Sequence, residues 1–111
     1  MKIAFPANGK VISSHFGHCV SFKVFDIDDD KAIVNQSTIE NPGEHKPGVL
    51  PGVLQQYEIN VLIADGIGQK AINLFNEMGI KVITGASGLI EDVLRRFLND
   101  TLQDGGNICN H

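Results

Sequence analysis

The residues of this chain best suited to chemistry lie in two short stretches. "SSHFGHCVSF" (Ser13–Phe22) places His15, His18 and Cys19 within five residues, and the closing "GGNICNH" adds Cys109 and His111. The sequence has only four histidines and two cysteines, so His45 is the one soft ligand outside those stretches. Neutral imidazole and thiolate are the ligand types of zinc, copper, iron and metal–sulfur species. On a strand His15, His18 and Cys19 would not point the same way, but a turn at Gly17 lets two of them converge. The competing reading makes Phe16 a core plug and leaves the histidines to cap loop carbonyls. In the tail, Cys109 and His111 are two apart and share one face of an extended chain, and Gly105-Gly106 gives them reach. A frayed terminus is the alternative there, although cysteine is usually a buried residue. His45 sits in the loop "NPGEHKPG" and joins the set only if that loop lies at the same sheet end as "HFGHC".

A second pattern is "GIGQKA", Gly66 to Ala71, of the form G-x-G-x-x-A after a strand and at the start of a helix. The backbone N–H groups of Gly66, Ile67 and Gly68 would face an anion there. The next strand, "IKVITG", ends in Thr84-Gly85, where a dinucleotide site wants an acidic ribose ligand. A tight turn or an anion cradle therefore fits better than a nucleotide site. Asp26, Asp28, Asp29 and Asp30 cluster at a turn remote from the ligand loops, and Ser13 and Ser14 lack the G-x-S-x-G context of a hydrolase. Nothing in these residues calls for turnover, and the protein is expected not to be an enzyme.

The elements that must position these residues follow from periodicity and turn signals. Lys2–Pro6 is a short apolar run, read as a buried strand that ends at Pro6. Val20–Ile27 alternates apolar and polar residues, and 31–40 is its hairpin partner across the Asp28-Asp29-Asp30 turn. Val49–Tyr57 has helical spacing with Pro51 in its first turn. "NVLIAD" is a strand covered on both faces, and Ala71, Ile72, Leu74, Phe75 and Met78 form a helical stripe that Gly79 stops. "IKVIT" is the last strand. A final helix carries Leu89, Ile90, Val93, Leu94, Phe97 and Leu98, with Ser87 as its expected N-cap. The order β-β-β-α-β-α-β-α joins an antiparallel meander to two right-handed parallel crossovers in one five-stranded mixed sheet.

At 111 residues with 42% hydrophobic and 20% charged content, the chain reads as one globular domain. Residues 1–103 form that domain, and 104–111 are expected to be a flexible tail. A net charge of −4 argues against a broad nucleic-acid face. No apolar run is long enough to span a bilayer, the start lacks a signal-peptide core, and a cytoplasmic protein with reduced thiols is expected.

Taken in order, "MKIAFPANGKVISSHFGHCVSFKVFDID", "NVLIADGIGQKAINLFNEMGIKVITG" and "CNH" resemble the dinitrogenase iron–molybdenum cofactor biosynthesis family, over nearly the whole chain. That resemblance implies a ribonuclease-H-like mixed α/β fold. It also implies binding or carrying of a metal ion or metal–sulfur cluster, with iron, molybdenum or zinc as the metal. The family's H-F-G histidine falls on His15, and its glycine-rich turn on Gly66-Ile67-Gly68. The expected cofactor contacts are His15, Phe16, Gly17, His18, Cys19, His45, Gly66, Ile67 and Gly68. The expected metal ligands are His15, His18, Cys19, His45, Cys109 and His111. Expected partners are the cofactor or cluster and a protein that donates or accepts it, with no nucleic acid and no membrane. The alternative is an anion- or nucleotide-binding regulatory module built on "GIGQKA".

Overall fold

The computed structural model describes residues 1–43 and 49–99 together with the backbone of 108–109. Its centre is β1 (Lys2–Asn8), whose residues 3 to 7 are all buried because both faces of the strand are covered. The strand runs beyond Pro6, where the sequence reading ended it. Past Gly9, at φ +64°, a short β2 (Val11–Ile12) folds back and pairs Ala7 with Ile12. The Ser13 N–H then donates to the Pro6 carbonyl at 2.8 Å. Proline lacks a donor but keeps its acceptor, so the ladder continues past it.

On one side β1 pairs antiparallel with β3 (Ser21–Ile27), which pairs antiparallel with β4 (Ile33–Glu40). The acidic turn between them is turn chemistry: Asp28 Oδ1 accepts the N–H groups of Asp30 and Ala32, both at 2.9 Å. On the other side β1 pairs parallel with β5 (Val61–Ile63), and β5 parallel with β7 (Lys81–Ile83). The mixed sheet has the order β4-β3-β1-β5-β7, with β2 attached to β1. Its five main strands are those expected from the sequence.

Alternation splits the core into two layers. Phe5, Phe25, Ile63 and Ile83 face α3 (Ile90–Leu98) and pack on Ile90, Val93 and Leu94. Ala4, Phe22, Val24 and Leu62 face the other way, onto α1 (Val49–Gln56) and α2 (Gln69–Glu77), where Leu50, Leu54 and Phe75 close the layer. Between β5 and α2 lies a two-residue β6 (Ile67–Gly68), paired parallel with β8 (Ile108–Cys109). Gly79 ends α2 at φ +78°, as its position predicted.

Ser87 is not the cap of α3. Leu89 occupies that position with no side-chain hydrogen bond. The Ile90 N–H donates to the Lys10 carbonyl at 3.0 Å, and the Ile12 N–H to the Gly88 carbonyl at 2.9 Å. The β1–β2 hairpin supplies the acceptor that a capping side chain would otherwise give, and Gly88 at φ +96° makes the turn into it. Among the described residues no helix is long and apolar enough to cross a membrane.

Candidate functional site

Because β1 and β5 are adjacent and parallel, the chain leaves both at the same sheet edge. The segment 13–19 from the first and 64–68 from the second meet there. The Phe16 N–H donates to the Gly66 carbonyl at 2.8 Å, and the Gly66 N–H to the Ser14 carbonyl at 3.0 Å, so His15 and Gly66 form a parallel bridge. Buried Ser13 braces the loop from inside, its hydroxyl donating to the His15 carbonyl at 2.9 Å.

Phe16–His18 is one turn of 3₁₀-helix. Its first residue points inward: the Phe16 ring meets Phe75 edge-on at 5.5 Å between centroids and Phe22 at 5.6 Å. With Phe16 pinned, the two flanking imidazoles are left exposed, their centroids 6.1 Å apart and their planes at 77°. Phe16 is thus the core plug of the competing reading, and the two imidazoles lie side by side on the exposed surface of the loop. Gly17 has no left-handed φ, and a Cβ there would meet nothing within 4 Å. The turn does not need glycine for its shape, which corrects the role assigned from sequence. What glycine leaves is bare backbone between two imidazoles.

Cys19 faces the opposite way. It is 4% exposed and packs in the layer of Phe16, Phe22 and Phe75. Burial pushes its thiol pKa up, partly countered by the Asn41 amide, which lies 3.7 Å from Sγ, and by the Ala7 backbone. Asn41 Nδ2 also donates to the Cys19 carbonyl at 2.9 Å, so the residue after β4 ties down the end of the histidine loop. Asn41 is a functional neighbour that sequence reasoning passed over as loop. The one signal was its place before Pro42-Gly43, an Asx-turn position, where its Oδ1 accepts the Gly43 N–H at 2.9 Å.

The structure thus brings together His15, Phe16, Gly17, His18 and the Gly66–Gly68 turn, and turns Cys19 inward. The backbone of Cys109 lies beside Gly68 in β8. His45 and His111 lie outside the described residues. Among the described residues no three His, Cys, Asp or Glu side chains form a group that would hold a metal ion. Among the described residues the surface offers two imidazoles and backbone, too few donors for a closed four-ligand structural metal site. The Gly66 N–H is committed to Ser14, which removes one of the three donors that an anion cradle would use.

Residues 1–100 match the family described as "Dinitrogenase iron-molybdenum cofactor". The chain belongs to this family. It is 32% identical over 107 residues to protein MJ0580 of Methanocaldococcus jannaschii, covering 93% of this chain and 90% of that one. The crystal structure of PH0822 superposes with a TM-score of 0.87 at 33% identity, covering 96% of each chain. The apo form of the orange protein from Desulfovibrio gigas gives a TM-score of 0.76 at 22% identity, over 96% of this chain and 93% of that one, a likeness of fold. This member of the family has the mixed α/β architecture expected from its sequence.

Proposed function

We propose that this small protein, related by family to the iron–molybdenum cofactor, binds and carries a metal ion or metal–sulfur cluster at the surface shared by 13–18 and Gly66–Gly68. The cargo is an iron–molybdenum-cofactor-like species or its precursor, passed between a donor and an acceptor protein. The observation that carries this reading is the pair of exposed imidazoles, 6.1 Å apart, on a loop fixed in place by Phe16 and by backbone hydrogen bonds to Gly66. Preorganised ligands lower the cost of capture. Few ligands, at the surface, permit release, which a carrier needs and a four-ligand structural site prevents. Cys109, whose backbone pairs with Gly68 in β8, is the proposed source of a further thiolate ligand. The reading asks for binding and release and assigns no turnover.

The test is anaerobic loading of the full chain with ferrous iron and sulfide, or with tetrathiomolybdate, followed by gel filtration. Metal and sulfide per chain and the charge-transfer spectrum are then measured. The wild type should retain coloured cargo, and His15→Ala with His18→Ala should lose most of it. Retention should also fall on acidification, because a protonated imidazole cannot ligate. Equal retention by the double variant would sink the proposal.

A further inference from the structure

The opposite face of the sheet carries a groove that the histidine site does not use. It has a volume of about 670 Å³ and runs between the β3–β4 surface and the start of α3. Cross-strand register explains its lining. Lys23 and Phe25 share one face of β3, and opposite them on β4 lie Thr38 and Gln36. Phe25 is a buried floor, Leu89 on the α3 side is 49% exposed, and Lys10 of the β1–β2 turn is part of the lining. The α3 wall is rigid, since the Lys10 carbonyl takes the Ile90 N–H and Val11 bridges Leu89.

The charges make this more than an uncovered sheet face. In a chain of net charge −4, two lysines line one groove. Lys23 Nζ donates to Thr38 Oγ1 at 3.1 Å, and among the described residues no carboxylate lies within ion-pair distance of either lysine. The rest of the β4 wall is neutral amide and hydroxyl, and Glu91 is the single acidic residue in the lining. We propose that this groove binds a small organic anion: a flat apolar body over Phe25 and against Leu89, with one anionic head held by Lys10 and Lys23. Glu91 repels a second charge, so the ligand is anionic at one end only. The volume is in the range of small-molecule sites, which combine an apolar lining with a few polar groups that set orientation.

The probe is 8-anilinonaphthalene-1-sulfonate, with uncharged N-phenyl-1-naphthylamine as its control, titrated into the full-length folded chain. Binding is read by fluorescence and by amide shifts in ¹⁵N–¹H spectra. The sulfonate should bind with shifts confined to Lys10, Lys23, Gln36, Thr38 and Leu89, and more tightly than the control. Lys10→Gln and Lys23→Gln should each weaken it about three- to tenfold, and added salt should weaken it further. Unchanged spectra elsewhere in the variants establish that they fold. Equal binding of the uncharged control, shifts centred on 13–18, or full affinity in the double lysine variant would each overturn the proposal. So would the absence of sulfonate binding at millimolar probe.

Discussion

Phe16, Gly17 and Cys19 hold three different relations to the same loop, and each can be tested alone. Phe16 anchors it: Phe16→Ala removes a ring packed on Phe22 and Phe75 and should cost about 3 kcal/mol in urea unfolding, with Phe16→Leu much milder. Gly17→Ala is the converse. Its φ is ordinary and its Cβ would enter open space, so stability should change by less than about 0.5 kcal/mol. Retention of cargo should nonetheless fall, because the new methyl would cover backbone that glycine leaves bare on the loop carrying His15 and His18. Unaltered retention would show that the bare backbone is not part of the binding surface. Cys19 reports on the core. Its thiol pKa is raised by burial above the ordinary value of 9.0. The neutral thiol is therefore favoured in the folded state. That contribution is fully present below about pH 9, and it is lost as pH rises through the higher folded value. The wild type should lose stability on going above pH 9 more steeply than Cys19→Ala does. Parallel pH profiles for the two proteins would contradict the burial argument.

At the scale of elements, the site depends on segments that lend it atoms from a distance. Asn41, at the end of β4, holds the Cys19 carbonyl, so Asn41→Ala should cost about 1 kcal/mol and speed hydrogen exchange in 17–20 before anywhere else. Deleting Asn107 to His111 removes β8, a two-residue partner of β6. The melting temperature should barely move, whereas metal retention should drop; equal retention by the truncated and full-length chains would show that Cys109 takes no part. The elements themselves were largely readable from the apolar runs and turn signals. But "VSFKVFDI", read as a half-buried strand, is buried at five of its seven β3 positions because it lies inside the sheet and feeds both core layers. Parallel β1 and β5 then place Ser13–Cys19 and Gly66–Gly68 at one edge. The inward turn of Cys19 was not readable. It sits in a loop without periodicity, and its direction is set by a 3₁₀ turn and by Asn41, 22 residues away. The same holds for Ser87, displaced as a cap by a carbonyl of the β1–β2 hairpin that no local pattern announces.

For the whole molecule, the shared sheet joins the two layers. Because β1 and β5 contribute side chains to both, neither layer has a core of its own. Unfolding should therefore be a single transition, with urea curves from helix ellipticity and from the fluorescence of Tyr57, the sole tyrosine, superimposing. Separated midpoints would show that the faces unfold independently. The sheet order has a further consequence, for timing. Ser14 and Gly66, which meet at the site, are 52 residues apart in sequence. Closing a loop of that length costs roughly 3–4 kcal/mol of chain entropy, and contacts between such distant residues form slowly. A nascent chain that has emerged only as far as β4 carries both histidines of the loop but lacks the Gly66 turn that fixes them. On the proposed function, cargo capture would wait until β5 has docked on β1, so that a metal species would be offered its seat only by a chain whose sheet is already assembled.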